Sequence, residues 1–117
     1  MLSDSKKKER REYLFKLINA MGTPAEVGNL MADLLTPTEM ETLSTRAAIA
    51  KMMNEDIPAK VIAADLAVAA GSITKVHDVF KTGAKGYQIA LKNLHEEQNK
   101  RDAVTKRNGS NGGRKKR

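Results

Sequence analysis

The chain has 117 residues, a formal charge of +7, no Cys and no Trp. That length holds one core rather than two, and the missing Cys exclude disulfides, thiolate nucleophiles and Cys-ligated zinc. Only Tyr13, Phe15, Phe80 and Tyr87 are aromatic, so the core must come from Leu, Ile, Val, Ala and six Met, a thin core that favours burial shared with a second copy.

At the N-terminus, Lys6, Lys7, Lys8, Arg10 and Arg11 precede an apolar stretch from Tyr13 to Met21, which imitates a signal peptide for a few residues. Lys16 interrupts it and no small-residue cleavage site follows. No uncharged apolar run approaches the roughly 20 residues that cross a bilayer. The expectation is a soluble, cytoplasmic chain with no membrane partner.

The pattern is helical almost throughout. Leu14, Leu17, Ile18 and Met21 form one apolar stripe on a helix from about Ser5 to Met21, and Val27, Leu30, Met31 and Leu34 repeat the spacing on a second. Thr23-Pro24-Ala25-Glu26 and Thr36-Pro37-Thr38-Glu39 are two helix starts, each with a capping Thr, Pro at the first helical position and Glu three residues on to close a capping box. The helix from Thr36 runs to about Asn54, and Glu55-Asp56-Ile57-Pro58 is a turn. A short helix (Ala59 to Leu66), a break at Ala67-Val68 and a helix from about Ala70 to Lys81 follow. After a break at Thr82 to Gly86, Tyr87, Ala90, Leu91 and Leu94 mark a last helix reaching about Ala103. No run alternates with the period of a strand. The spacing predicts an all-α fold of five or six helices, with one domain over 1–99 and a basic tail over 100–117 that is disordered from residue 108.

The segment Ala59–Asp78 fits a helix-turn-helix. Ile62 and Leu66 point inward from its first helix and Ala63 is the small residue at the backbone contact. Val68 closes the turn, and Ile73 and Val76 point inward from the second helix. Ala67 stands where Gly usually takes the left-handed conformation, which costs Ala about 1 kcal/mol. The outward residues are Gly71, Ser72, Thr74, Lys75, His77, Asp78 and Lys81. Short polar side chains near a helix N-terminus in the major groove can bond base edges, while Lys reaches phosphate. On the pattern alone, a plain helical hairpin fits as well as DNA recognition.

Leu34-Leu35-Thr36-Pro37-Thr38-Glu39, then Leu43-Ser44-Thr45-Arg46, then Gly71-Ser72-Ile73-Thr74-Lys75-Val76, resemble the Trp repressor superfamily over roughly Leu14 to Glu97. Ser72-Ile73-Thr74-Lys75-Val76 followed by Gly83, Tyr87, Ala90 and Leu91 is most similar to its YerC/YecD-like branch. The resemblance implies an intertwined all-helical homodimer with two helix-turn-helix heads facing successive major grooves, its stripes buried against the partner. It implies DNA contacts at Lys60, Ala70, Gly71, Ser72 and Thr74, with Asp78 and Lys81 further down. Ala59 and Ala63 fall where the family's repressors place polar groups, so base reading leans on Ser72, Thr74 and His77.

The tryptophan-binding members hold their ligand with an Arg on the central helix, an Arg-Gly pair on the recognition helix and a Ser one turn later. Arg46 matches the first Arg, but Lys75 and Val76 replace the pair and Val79 replaces the Ser. Val76 would fill the space left for the indole, so the resemblance argues against tryptophan as a cofactor and names no other effector. Arg46 is left as a candidate phosphate contact or ion-pair partner.

The charge is unevenly placed. Residues 100–117 hold eight bases (Lys100, Arg101, Lys106, Arg107, Arg114, Lys115, Lys116, Arg117) against Asp102, whereas residues 1–99 hold thirteen bases and thirteen acids. Affinity for a polyanion therefore belongs to the tail. As a flexible arm it would add about six to eight phosphate contacts, each steepening the salt dependence of log K by roughly 0.9; as a solvated run it would only aid solubility.

Nothing points to catalysis. His77 and His95 lie on different helices, Glu55-Asp56 and Glu96-Glu97 are adjacent acids pointing apart, and Gly83-Ala84-Lys85-Gly86 lacks the length and preceding strand of a phosphate loop. The expected function is a sequence-specific DNA-binding transcriptional regulator, a repressor, with DNA and its own second copy as partners and no metal. A non-specific nucleic-acid binder relying on the tail and a helical protein-interaction adaptor are the alternatives. The expected DNA-binding set is Lys60, Ala70, Gly71, Ser72, Thr74, Lys75, His77 and Lys81. Arg46, Lys100, Arg101, Lys106, Arg107, Arg114, Lys115, Lys116 and Arg117 are the candidate phosphate contacts.

Overall fold

A computed structural model describes residues 1–109, all of whose regular elements are helices. In chain order these are α1 (Asp4–Asn19), α2 (Pro24–Leu34), α3 (Pro37–Asn54), α4 (Ala59–Leu66), α5 (Ala70–Thr82) and α6 (Gly86–Gly109). They form two compact units, Met1–Ser44 and Thr45–Arg117, divided within α3.

The first unit contains α1, α2 and the start of α3. The Ser3 hydroxyl accepts from the Lys6 amide at 3.2 Å and caps α1, and Asp4 adds a favourable negative charge in its first turn. α1 ends at Asn19 rather than Met21, because the last amides shorten their reach: Ala20 N donates to both Lys16 O and Leu17 O, and Met21 N to Ile18 O. The two Thr-Pro starts differ in detail. Thr36 and Glu39 cap each other reciprocally, Thr36 N to Glu39 Oε1 at 2.9 Å and Glu39 N to Thr36 Oγ1 at 3.1 Å. At α2, Thr23 Oγ1 accepts from Glu26 N, but the Glu26 carboxylate accepts from Gly22 N at 2.7 Å, one residue earlier than the box expected. The apolar stripes are half-buried at most: no residue of α1 or α2 is buried, and Tyr13, Phe15 and Leu34 are exposed.

The second unit holds the core. Ile49 (0% exposed) and Ala50 from α3, Ile62 (0%) from α4, and Ile73 and Val76 from α5 are buried together. Met52, Met53, Ile57, Leu66, Val68, Phe80, Tyr87 and Leu91 pack around them. Burying each of Ile49 and Ile62 removes an aliphatic side chain from water, a gain of about 2 kcal/mol apiece. After α3 the chain reverses through Asp56 at φ 61°, and Pro58, which cannot continue a helix, supplies the extended residue before α4.

α6 departs from expectation at its far end. It passes Ala103 and runs to Gly109, crossing residue 100, where the basic tail begins, without a break. Gln98 donates to Asp102 at 3.2 Å and Arg101 to Glu97 at 3.4 Å, pairs four residues apart that carry the helix into the basic segment. Asn108 and Gly109, expected to be disordered, are its last residues, and the remainder of that expectation falls on residues outside those described.

Candidate nucleic-acid interface

The α4–turn–α5 unit has the geometry the sequence predicted. Ala67 adopts φ 54°, ψ 47°, its amide donates to Ala63 O, and Val68 N donates to the same carbonyl at 3.1 Å. The turn thus keeps a left-handed residue without glycine, at about 1 kcal/mol of local strain. Ile62, Ile73 and Val76 are buried, Ala63, Leu66 and Val68 half-buried, all as expected. α4 packs on α5, and α5 on α6.

With Ile73, Val76 and Phe80 turned inward, the helical period sends Gly71, Thr74, Lys75 and Asp78 outward, with Ala70 and Lys81 to one side of that line. Ser72 and His77 sit on opposite flanks of this face, so the two are not side by side. All of these residues are exposed, as is Lys60 at the start of α4. A Cβ at Gly71 would meet nothing within 4 Å, so the face is open there. The Thr74 hydroxyl donates back to Ala70 O at 3.2 Å, which commits its proton and leaves its lone pairs as acceptors. His77 Nδ1 lies 3.8 Å from Asp78 Oδ1.

The two ends of α5 are treated oppositely. At the start, Ala69 occupies the N-cap and no side chain bonds the first amides; Pro58 leaves α4 equally uncapped, whereas α1, α2 and α3 have Ser3, Thr23 and Thr36. At the end, four successive carbonyls have partners. Asp78 O accepts from Thr82 Oγ1 (2.8 Å), Val79 O from Gly83 N (2.8 Å), Phe80 O from Gln88 Nε2 (2.6 Å) and Lys81 O from Lys85 Nζ (2.6 Å). Free amides at a positive helix end suit an anion, and a closed far end holds the helix rigid. The missing caps were legible in Pro58-Ala59 and Ala69-Ala70; the side-chain closure by Gln88 and Lys85 depends on the turn into α6 and was not.

The candidate phosphate contacts are scattered. Arg46 is exposed on α3, and Lys100 and Arg101 are exposed on α6, where Arg101 is partly matched by Glu97. Lys106 and Arg107 belong to the last turns of α6; Arg114, Lys115, Lys116 and Arg117 lie outside the described residues. Around the family's ligand position, Val76 is 3% exposed within the core cluster and Val79 is 52% exposed. Among the described residues, no three His, Asp or Glu stand together as a metal site, and no helix is long and apolar enough to cross a membrane.

The model of the Trp repressor protein family matches residues 9–95. The chain belongs to that family. No curated protein and no solved structure matches it. The Trp repressor family is one of DNA-binding helix-turn-helix regulators rather than enzymes, and α4–turn–α5 is this member's helix-turn-helix. The match ends before Lys100, so the basic extension lies outside what membership explains.

Proposed function

We propose that this Trp repressor family member is a sequence-specific transcriptional repressor, acting in the cytoplasm on the nucleoid, that excludes polymerase by occupying a promoter site. The observation that carries this reading is the outward face of α5: exposed Gly71, Thr74, Lys75 and Lys81, with Ser72 and His77 on its flanks, on a helix whose start is free of side-chain caps. Small residues at Ala70 and Gly71 let backbone amides approach phosphate or base edges, Ser72, Thr74 and His77 offer hydrogen bonds, and Lys60, Lys75 and Lys81 offer positive charge. Similarity to the YerC/YecD-like branch and the buried Val76 both argue against tryptophan as effector.

The active species is a homodimer. Its support is the first unit, whose stripes at Leu14–Met21 and Val27–Leu34 stay half-exposed, and a family whose members are typically dimers. A second copy would bury these faces and place two α5 helices on successive grooves. Arg46, Lys100, Arg101, Lys106 and Arg107 and the terminal Arg114–Arg117 cluster then hold backbone and supply much of the affinity.

A gel shift with random and genomic duplexes tests this. The expected result is loss of specific binding in the triple variant Ser72→Ala, Thr74→Ala, Lys75→Ala. Binding untouched by that variant yet abolished by deleting residues 100–117 would instead establish a non-specific binder that works through its tail.

A further inference from the structure

On the outward face of α5, one residue has the wrong sign for a phosphate contact. Asp78 stands two turns after Gly71 on the same line, one turn after Thr74 and Lys75, directly opposite the buried Val76–Phe80 side. Its side chain is 71% exposed. It lies in the second half of the helix, so the positive end of the helix dipole does not offset its charge. Thr82 bonds the Asp78 backbone carbonyl and not the carboxylate, and the imidazole Nδ1 of the adjacent His77 lies 3.8 Å from Asp78 Oδ1. Lys75 and Lys81 flank it on the helix surface one turn to either side.

A carboxylate carried into the major groove needs a hydrogen-bond donor there, and the groove offers two: the cytosine N4 amine and the adenine N6 amine. The adenine amine is bordered by the N7 acceptor, which repels a carboxylate, whereas the cytosine amine is bordered by a C–H. Guanine and thymine present acceptors at that depth. The paired guanine in turn presents O6 and N7, the acceptors that an ammonium group fills. An acid one helical turn after a Lys therefore complements both halves of a single C·G pair.

Resting on the reading that α5 enters the groove, we infer that Asp78 is a specificity-determining residue that accepts from a cytosine amine, with Lys75 donating to the paired guanine. Asp78 lies about 10 Å along the helix axis from Gly71, equivalent to about three base steps. The cytosine it selects thus falls about three base pairs from the position read by the first turn. At guanine and thymine the acid meets acceptors, and at adenine the N7 acceptor opposes the N6 amine, so it sharpens specificity in a protein whose tail otherwise favours any DNA.

The test is selection of bound duplexes from a randomised pool by the full chain and by Asp78→Ala and Asp78→Asn, with circular dichroism to check folding. The expected wild-type motif fixes one C·G pair per half-site, with discrimination of about tenfold. Asp78→Ala loses preference at that pair alone, and Asp78→Asn moves it toward adenine, whose N6 and N7 an amide matches. A motif unchanged in Asp78→Ala, with tighter binding to all DNA, would overturn the assignment, since the acid would then only repel. A wild-type chain that selects no motif would overturn base reading by α5 itself, and Asp78's role with it.

Discussion

Phe80, near the end of α5, and Tyr87, at the start of α6, stack with ring centroids 6.2 Å apart and planes 12° from parallel. They are half the aromatic residues of the chain and both pack against the core. With Gln88 donating to Phe80 O, the pair locks the turn between α5 and α6, so the start of α6 is held against α5.

Tyr87→Ala should therefore destabilise the second unit by about 2 kcal/mol, from lost apolar contact and lost stacking. Thermal unfolding followed by circular dichroism should show a midpoint lower by about 10 °C. Gln88→Ala, removing one hydrogen bond, should cost about 1 kcal/mol.

Ala67 offers the opposite outcome. At φ 54°, ψ 47° a Cβ is strained, and Ala67→Gly should stabilise the chain by about 1 kcal/mol. Urea denaturation should show a higher midpoint with an unchanged slope. Ala67→Val, with a branched Cβ in the same region, should lower it.

Two glycines separate packing from recognition. A Cβ at Gly83 would stand 2.6 Å from the Val79 carbonyl oxygen, so Gly83→Ala should cost about 1–3 kcal/mol. Gly71 faces open space in the free chain. Gly71→Ala should leave stability unchanged or raise it by up to about 1 kcal/mol, as expected for a helical position, yet weaken DNA binding in a gel shift because the methyl group holds the backbone off the groove.

Tryptophan should have no effect. A ligand at a hundredfold excess over its dissociation constant would add about 2.7 kcal/mol to stability, whereas millimolar tryptophan should leave both the unfolding midpoint and DNA affinity where they were. A clear upward shift would mean that Val76 moves aside for the indole.

What is local in this protein was readable from its residues alone. Thr23-Pro24 and Thr36-Pro37 start helices because Thr oxygens reach amides three residues on, and the spacing of Ile62, Ile73 and Val76 turns them to one side; neither requires knowledge of distant chain. Even the left-handed Ala67 followed from its place in the turn of the helix-turn-helix spacing, where Gly is usual. Family membership was likewise legible in the order of short motifs. The tertiary structure alone decided where side chains with a choice of partner would go. Glu26 turned to Gly22 rather than Thr23, and Gln88 reached back to Phe80, each depending on backbone direction at a turn. It also distributed burial, placing every buried residue from Ile49 to Val76 in the second unit while the stripes of α1 and α2 stayed half-exposed. Periodicity marks which face of a helix is apolar, but only the packing of neighbouring elements determines whether that face has been covered.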